Sequence, residues 1–79
     1  MTENEAIVLA AQCIVGAAKD AGAFGAPSGV VYAVMSAHGL RLAAYQSLCN
    51  ALENFGVIRQ EHDCLFWTGV ELADAMGGS

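Results

Sequence analysis

The chain is expected to fold as a mainly helical α+β domain: three helices, then a two-stranded hairpin and a short C-terminal helix. Three observations lead there. Apolar residues recur at helical spacing in three segments up to Phe55, glycines close two of those segments, and branched and aromatic residues then gather in two short runs around His62-Asp63. At 79 residues the chain has room for one hydrophobic core. The hydrophobic share of 56 % includes 15 alanines, so much of it reflects helix formers rather than bulky core groups. No internal linker divides the chain, which reads as a single domain over 1–79. Within it, 1–26 forms an N-terminal helix and connection, 28–56 a helix-turn-helix, 57–68 a hairpin and 69–79 a short helix and tail.

The first helix starts at Thr2, whose hydroxyl can cap it while Glu5 reaches back in a Thr-x-x-Glu box, and runs to about Ala21. Ile7, Ala10, Ala11, Ile14, Ala18 and Ala21 recur on one face, and Val8 and Val15 add a second stripe. So wide an apolar surface predicts burial on more than one side. The helix is either central to a small fold or also packed against the same helix of a second copy, giving a homodimer through the N-terminal helix.

Residues 21–27 form a glycine-punctuated connection, and Ser28 after Pro27 is suited to cap a second helix from Gly29 to His38. Val31, Val34, Met35 and His38 share a face there, and Gly39 ends the helix. After the turn Gly39-Leu40-Arg41, the residues Leu42, Tyr45, Leu48, Cys49, Leu52 and Phe55 mark a third, clearly amphipathic helix closed by Gly56.

Val57–Glu61 and Cys64–Thr68 are expected to be strands joined by a tight turn at His62-Asp63. A hairpin is marginal alone, so one face must rest on the helices: Ile58 with Phe66, or Leu65 with Trp67, according to register. Thr68 and Glu71 form a second Thr-x-x-Glu box, from which Val70, Ala73 and Met76 can make one or two turns of helix.

Three helices, the last two joined by a short glycine turn and followed directly by a hairpin, resemble a winged helix-turn-helix over Ser28 to Gly69. Asn54-Phe55-Gly56-Val57-Ile58-Arg59 is similar to the passage from helix to wing in many such proteins, which implies that Leu42–Phe55 holds the recognition-helix position. More narrowly, Pro27-Ser28-Gly29-Val30-Val31-Tyr32-Ala33-Val34-Met35, with Tyr45-Gln46 and Trp67-Thr68-Gly69, resembles short proteins of proteobacterial prophages and integrative elements. That likeness implies a phage or mobile-element setting and no particular activity.

Charge argues against the usual task of that fold. The formal net charge is −5 and the isoelectric point is near 4.5, which repels a phosphate backbone. The outward face of the third helix carries Ala43, Ala44, Ser47, Asn50, Ala51 and Asn54, which can read a base edge but cannot neutralise a phosphate. From Arg41 to Thr68, the cations Arg41 and Arg59 face the anions Glu53, Glu61 and Asp63, and the wing tip reads Gln60-Glu61-His62-Asp63.

Two functions follow. The first is a small acidic protein-interaction module that inhibits a basic, nucleic-acid-binding host protein, as an anti-CRISPR does. Its contact residues are Glu61, Asp63, Trp67 and Phe66, with Arg41 and Tyr32 flanking. Trp67 and Phe66 are adjacent and point to opposite sides of a strand, so one ring either packs under a terminal helix or anchors a partner. The second is a dimeric winged-helix transcriptional regulator that touches DNA through Arg41, Ser47, Asn50, Asn54 and Arg59.

No nucleophile motif, phosphate loop or carboxylate pair surrounds His38, His62 or the cysteines, so no enzyme, cofactor or metal is expected. Cys13, Cys49 and Cys64 are odd in number and widely spaced, consistent with reduced thiols in a cytoplasm. Cys13 and Cys49 read as core groups and Cys64 as the exposed one. The acidic start does not suit a signal peptide, and the apolar run Ala6–Ala18 is too short to span a bilayer.

Overall fold

The structure, a computed structural model, describes residues 3–75. Helices dominate, in the order α1 (Glu3–Ala21), a 3-10 turn (Gly22–Phe24), β1 (Ala26–Pro27), α2 (Ser28–Ala37), α3 (Leu42–Asn54), β2 (Ile58–Glu61), β3 (Cys64–Trp67) and α4 (Leu72–Ala75). The strands form one antiparallel sheet in the order β1-β3-β2. Thr2 and Met76 lie outside the described residues, as do the first helix cap and the last helical position assigned to them.

The strand β1 was read from sequence as connection only. It pairs Ala26 with Leu65 and Pro27 with Cys64, so the two-stranded hairpin becomes a three-stranded sheet. Two residues between glycines carry no periodicity that could announce a strand. Gly25 takes φ 78°, and a β-carbon there would lie 2.7 Å from Phe66 Cζ, which is why the chain can pass so close to the sheet at that point.

The hairpin turn is as expected, with both His62 (φ 51°) and Asp63 (φ 61°) left-handed, the geometry that matches the twist of the two strands. This two-residue turn sets Glu61 opposite Cys64 and therefore Ile58 opposite Trp67. Ile58, Leu65 and Trp67 consequently share the inward face, and Phe66 points outward with Arg59. Of the two inward pairs expected from sequence, Leu65 with Trp67 is the one adopted, and Ile58 joins them rather than pairing with Phe66.

The core lies between α1, α3 and the sheet. Ile14, Val15 and Ala18 of α1, Tyr45, Cys49 and Leu52 of α3, and Val57, Ile58 and Leu65 are buried there, with Val31 and Met35 from α2. Several residues placed inward by periodicity are exposed instead. They stand at the element ends: Ile7 on α1, Leu42 and Phe55 at the two ends of α3, and Val34 and His38 toward the end of α2. Helical spacing gives a direction around the axis but not where the underlying surface stops.

Ser28 does not cap α2 through its side chain; it is the first helical residue, and its hydroxyl sits 2.9 Å from the Tyr45 hydroxyl, which also donates to the Ser28 carbonyl at 3.2 Å. Thr68 likewise leaves its expected cap. Its hydroxyl donates to the Gly56 and Val57 carbonyls, closing the base of the hairpin, and α4 begins only at Leu72. Cys13 is exposed, Cys64 partly so and Cys49 buried, which reverses the expectation for Cys13. The segment Glu5–Phe24, 20 residues that include an 18-residue window of mean hydropathy 1.4, is long and apolar enough to cross a membrane by length and composition. The shorter count from sequence stopped at Ala18.

Candidate functional site

The hairpin and α3 hold most of the residues singled out from sequence. At the tip, Glu61, His62 and Asp63 are all exposed, and the Ser28 amide donates to the Asp63 carbonyl at 2.8 Å. The tip is thus fastened to the start of α2 rather than extended as a free wing. Its two carboxylates face solvent.

Just below the tip, Arg59 is turned onto its own sheet. Its Nε lies 3.2 Å from Glu61 Oε2, and its guanidinium sits 5.1 Å from the centre of the Phe66 ring. That arrangement follows from register, since Arg59 and Phe66 are opposite each other and Glu61 is two residues along the same face. Arg59 is thereby offset by a carboxylate and flattened on an aromatic ring. Both side chains of that ion pair remain more than half exposed.

The surface between α3 and β2 is organised around Glu53. Its Oε2 accepts the Gln60 backbone N–H at 3.1 Å, its Oε1 accepts from Gln60 Nε2 at 3.3 Å, and the same Nε2 donates to Asn50 Oδ1 at 3.2 Å. Asn50 is therefore engaged by Gln60. Ser47 and Asn54 remain exposed on α3, with Arg41 exposed at its start. Of the cations among the described residues, Lys19 and Arg59 are ion-paired and Arg41 is not.

Trp67 is not a free anchor. Its indole N–H donates to the Val70 carbonyl at 2.9 Å, and Lys19 Nζ lies 4.7 Å over the ring while contacting Glu71 at 2.6 Å. The ring joins α1 to the segment after the hairpin, close to the packing role weighed from sequence. Phe66 lies half-buried between Gly25 and Arg59. Tyr32 is half-buried too, its ring 5.3 Å from that of Tyr45. Tyr45 is the strongly perturbed group of this region: burial pushes its phenol up to about 12, and burial also raises the Cys49 thiol.

An aromatic residue missed from sequence is the most exposed large apolar side chain described. Phe24 is 92 % exposed at the end of the 3-10 turn. Gly22 at φ 58° and Gly25 at φ 78° bracket it, and the Gly25 amide closes the turn on the Gly22 carbonyl at 3.2 Å. A signal was available in the sequence: a phenylalanine between glycines, on no helical face, has no core position to fill.

Among the described residues no group of three His, Cys, Asp or Glu is placed to hold a metal ion. His62 lies in the hairpin turn and Cys64 at the start of β3. No protein-family model, curated protein or solved structure matches this chain.

Proposed function

We propose that this chain is a winged-helix-like protein-interaction module of phage or mobile-element type, which inhibits a host protein by docking on its basic, nucleic-acid-binding surface, as an anti-CRISPR does. The winged-helix assignment is supported by the order α1-β1-α2-α3-β2-β3 and by the pairing of β1 with β3 rather than β2. The interaction reading rests on one observation above the rest: the cation that this fold would turn toward DNA, Arg59, is held by Glu61 and Phe66, while Glu53 holds Gln60, which engages Asn50. Phosphate affinity needs cations free to displace counterions. Here Arg59 and Lys19 are offset internally, which leaves Arg41 as the unpaired cation among the described residues, and the tip carries Glu61 and Asp63.

The docking surface combines those carboxylates with Phe24, an exposed aromatic group carried on a hydrogen-bonded turn. A cytoplasmic setting accords with three unpaired cysteines. A second reading, a dimeric winged-helix regulator, draws on the open face of α3, where Ser47 and Asn54 are exposed beside Arg41.

A mobility-shift titration on host genomic fragments in low salt, run beside a pull-down from host cytoplasm, separates the two. The expected result is no shift at about 10 µM protein, with a captured basic protein lost on Glu61→Lys combined with Asp63→Lys, and the melting temperature unchanged. Salt-sensitive DNA binding at about 10 nM would overturn the interaction reading in favour of the regulator.

A further inference from the structure

We infer that α1 carries a self-association surface, and that its occupant is the same surface of a second copy. The helix has 19 residues, and from Glu5 onward its first buried position is Ala10. Before it, Ile7, Val8 and Leu9 are 43 %, 40 % and 46 % exposed. Three successive residues cover about 200° of a helix, so this end lies with no side fully on the molecule. Ile7 continues the stripe formed by Ala11, Ile14 and Ala18, and it continues it past the edge of the core.

Beside the overhang runs a groove of about 430 Å³, between Leu9, Ala10 and Cys13 of α1 and Met35, His38 and Leu40 at the end of α2 and the turn after it. A protruding apolar end and an apolar groove thus share one helix. A two-fold axis near Leu9 runs the two α1 helices antiparallel, lays each overhang in the other's groove, and sets position 6 of one copy beside Cys13 of the other. Such an interface is closed at two copies.

Self-complementarity, an apolar end and an apolar groove on the same helix, selects a second copy over the basic partner proposed above. At a net charge of −5, two copies repel each other over most of their surface. Among the described residues no Asp, Glu, Lys or Arg lines this groove, whereas the larger groove on the other side of α1 includes Lys19, Glu71 and Asp74. A basic protein would gain no charge pairing in the uncharged groove. A copy of the same chain meets least repulsion there. The expectation from sequence that Val8 and Val15 form the seam is corrected in this arrangement, because Val15 is buried within its own core.

Sedimentation equilibrium of the full chain from about 5 to about 500 µM provides the test. The wild type is expected to dimerise in that range. Leu9→Glu should raise the dimer dissociation constant by about 100-fold or more with the helical circular dichroism retained, while Val8→Glu, on the side of the charged groove, changes it by less than about 3-fold. Ala6→Cys should form a disulfide-linked dimer through Cys13 of the second copy under mild oxidation, and lose it when Cys13 is replaced by Ser. A wild type monomeric at about 500 µM overturns the inference. So do equal effects of Leu9→Glu and Val8→Glu, and so does a monomer that sediments with phosphatidylcholine vesicles, which would assign the overhang to a membrane. None of these outcomes bears on whether the hairpin tip binds a basic protein.

Discussion

At the sheet end of the molecule, polar groups are matched with one another: Arg59 with Glu61, Glu53 with Gln60, Thr68 with the Gly56 and Val57 carbonyls. Toward the start of α1, Ile7, Val8 and Leu9 are three successive apolar residues, and none is fully covered. The contrast shows that exposure and polarity are separately controlled in so small a fold. The hairpin tip turns the carboxylates of Glu61 and Asp63 outward, while Arg41 at the start of α3 is an exposed cation outside any ion pair. Apolar surface faces outward at Phe24, at Val30 and Val34 on α2, at Leu42 and Phe55 at the ends of α3, and at the three successive residues Ile7, Val8 and Leu9.

The largest effect that tests this contrast comes from two isoleucines on the same face of α1. Ile14 is fully buried, so Ile14→Ala should cost about 2–4 kcal/mol in urea unfolding, whereas Ile7→Ala at dilute protein should change stability by less than about 0.5 kcal/mol. Comparable losses at both sites would mean that the overhang is covered within one molecule. Next comes Gly25→Ala. The added methyl meets Phe66 in a backbone conformation that L residues rarely adopt, and about 2–3 kcal/mol should be lost; a neutral result would show that the turn beneath Phe24 is adaptable rather than fixed.

The smallest effect is confined to alkaline solution. An unfolded chain ionises its tyrosines near pH 10, but folded Tyr45 resists until about 12, so the stability it contributes is fully present below pH 10 and declines between about 10 and 12. The raised Cys49 thiol adds a decline in the same direction. Tyr45→Phe should flatten the loss above pH 10 when unfolding is followed across that range. An unaltered slope would remove Tyr45 as its source.

Much of this architecture was legible from residue spacing. The three long helices lie within a residue or two of their expected ends, and His62-Asp63 forms the turn, because periodicity and turn chemistry are local properties. The strand β1 was not legible, since its partner Leu65 lies far along the chain and Ala26-Pro27 has no pattern of its own. The acidic tip could be read directly as Glu61 and Asp63. That Arg59 folds back onto Phe66 could not, because it depends on a register in which the inward face was left open. The overhang of α1 was hidden for a related reason: a stripe of Ile7, Ala11 and Ile14 looks uniform until the extent of the core beneath it is known.

The bond from the Gln60 amide to Glu53 reaches beyond the matching of charges. β2 is one border of the sheet, and β1, the other, is two residues long with a proline that has no N–H to offer. With Glu53 occupying an amide on one border and Pro27 removing one on the other, neither side offers a ready template on which a further strand could add. A chain that leaves apolar surface uncovered is thereby guarded against fibrous polymerisation. Glu53, although remote from the overhang, helps keep association with other molecules a matter of side chains rather than of backbone.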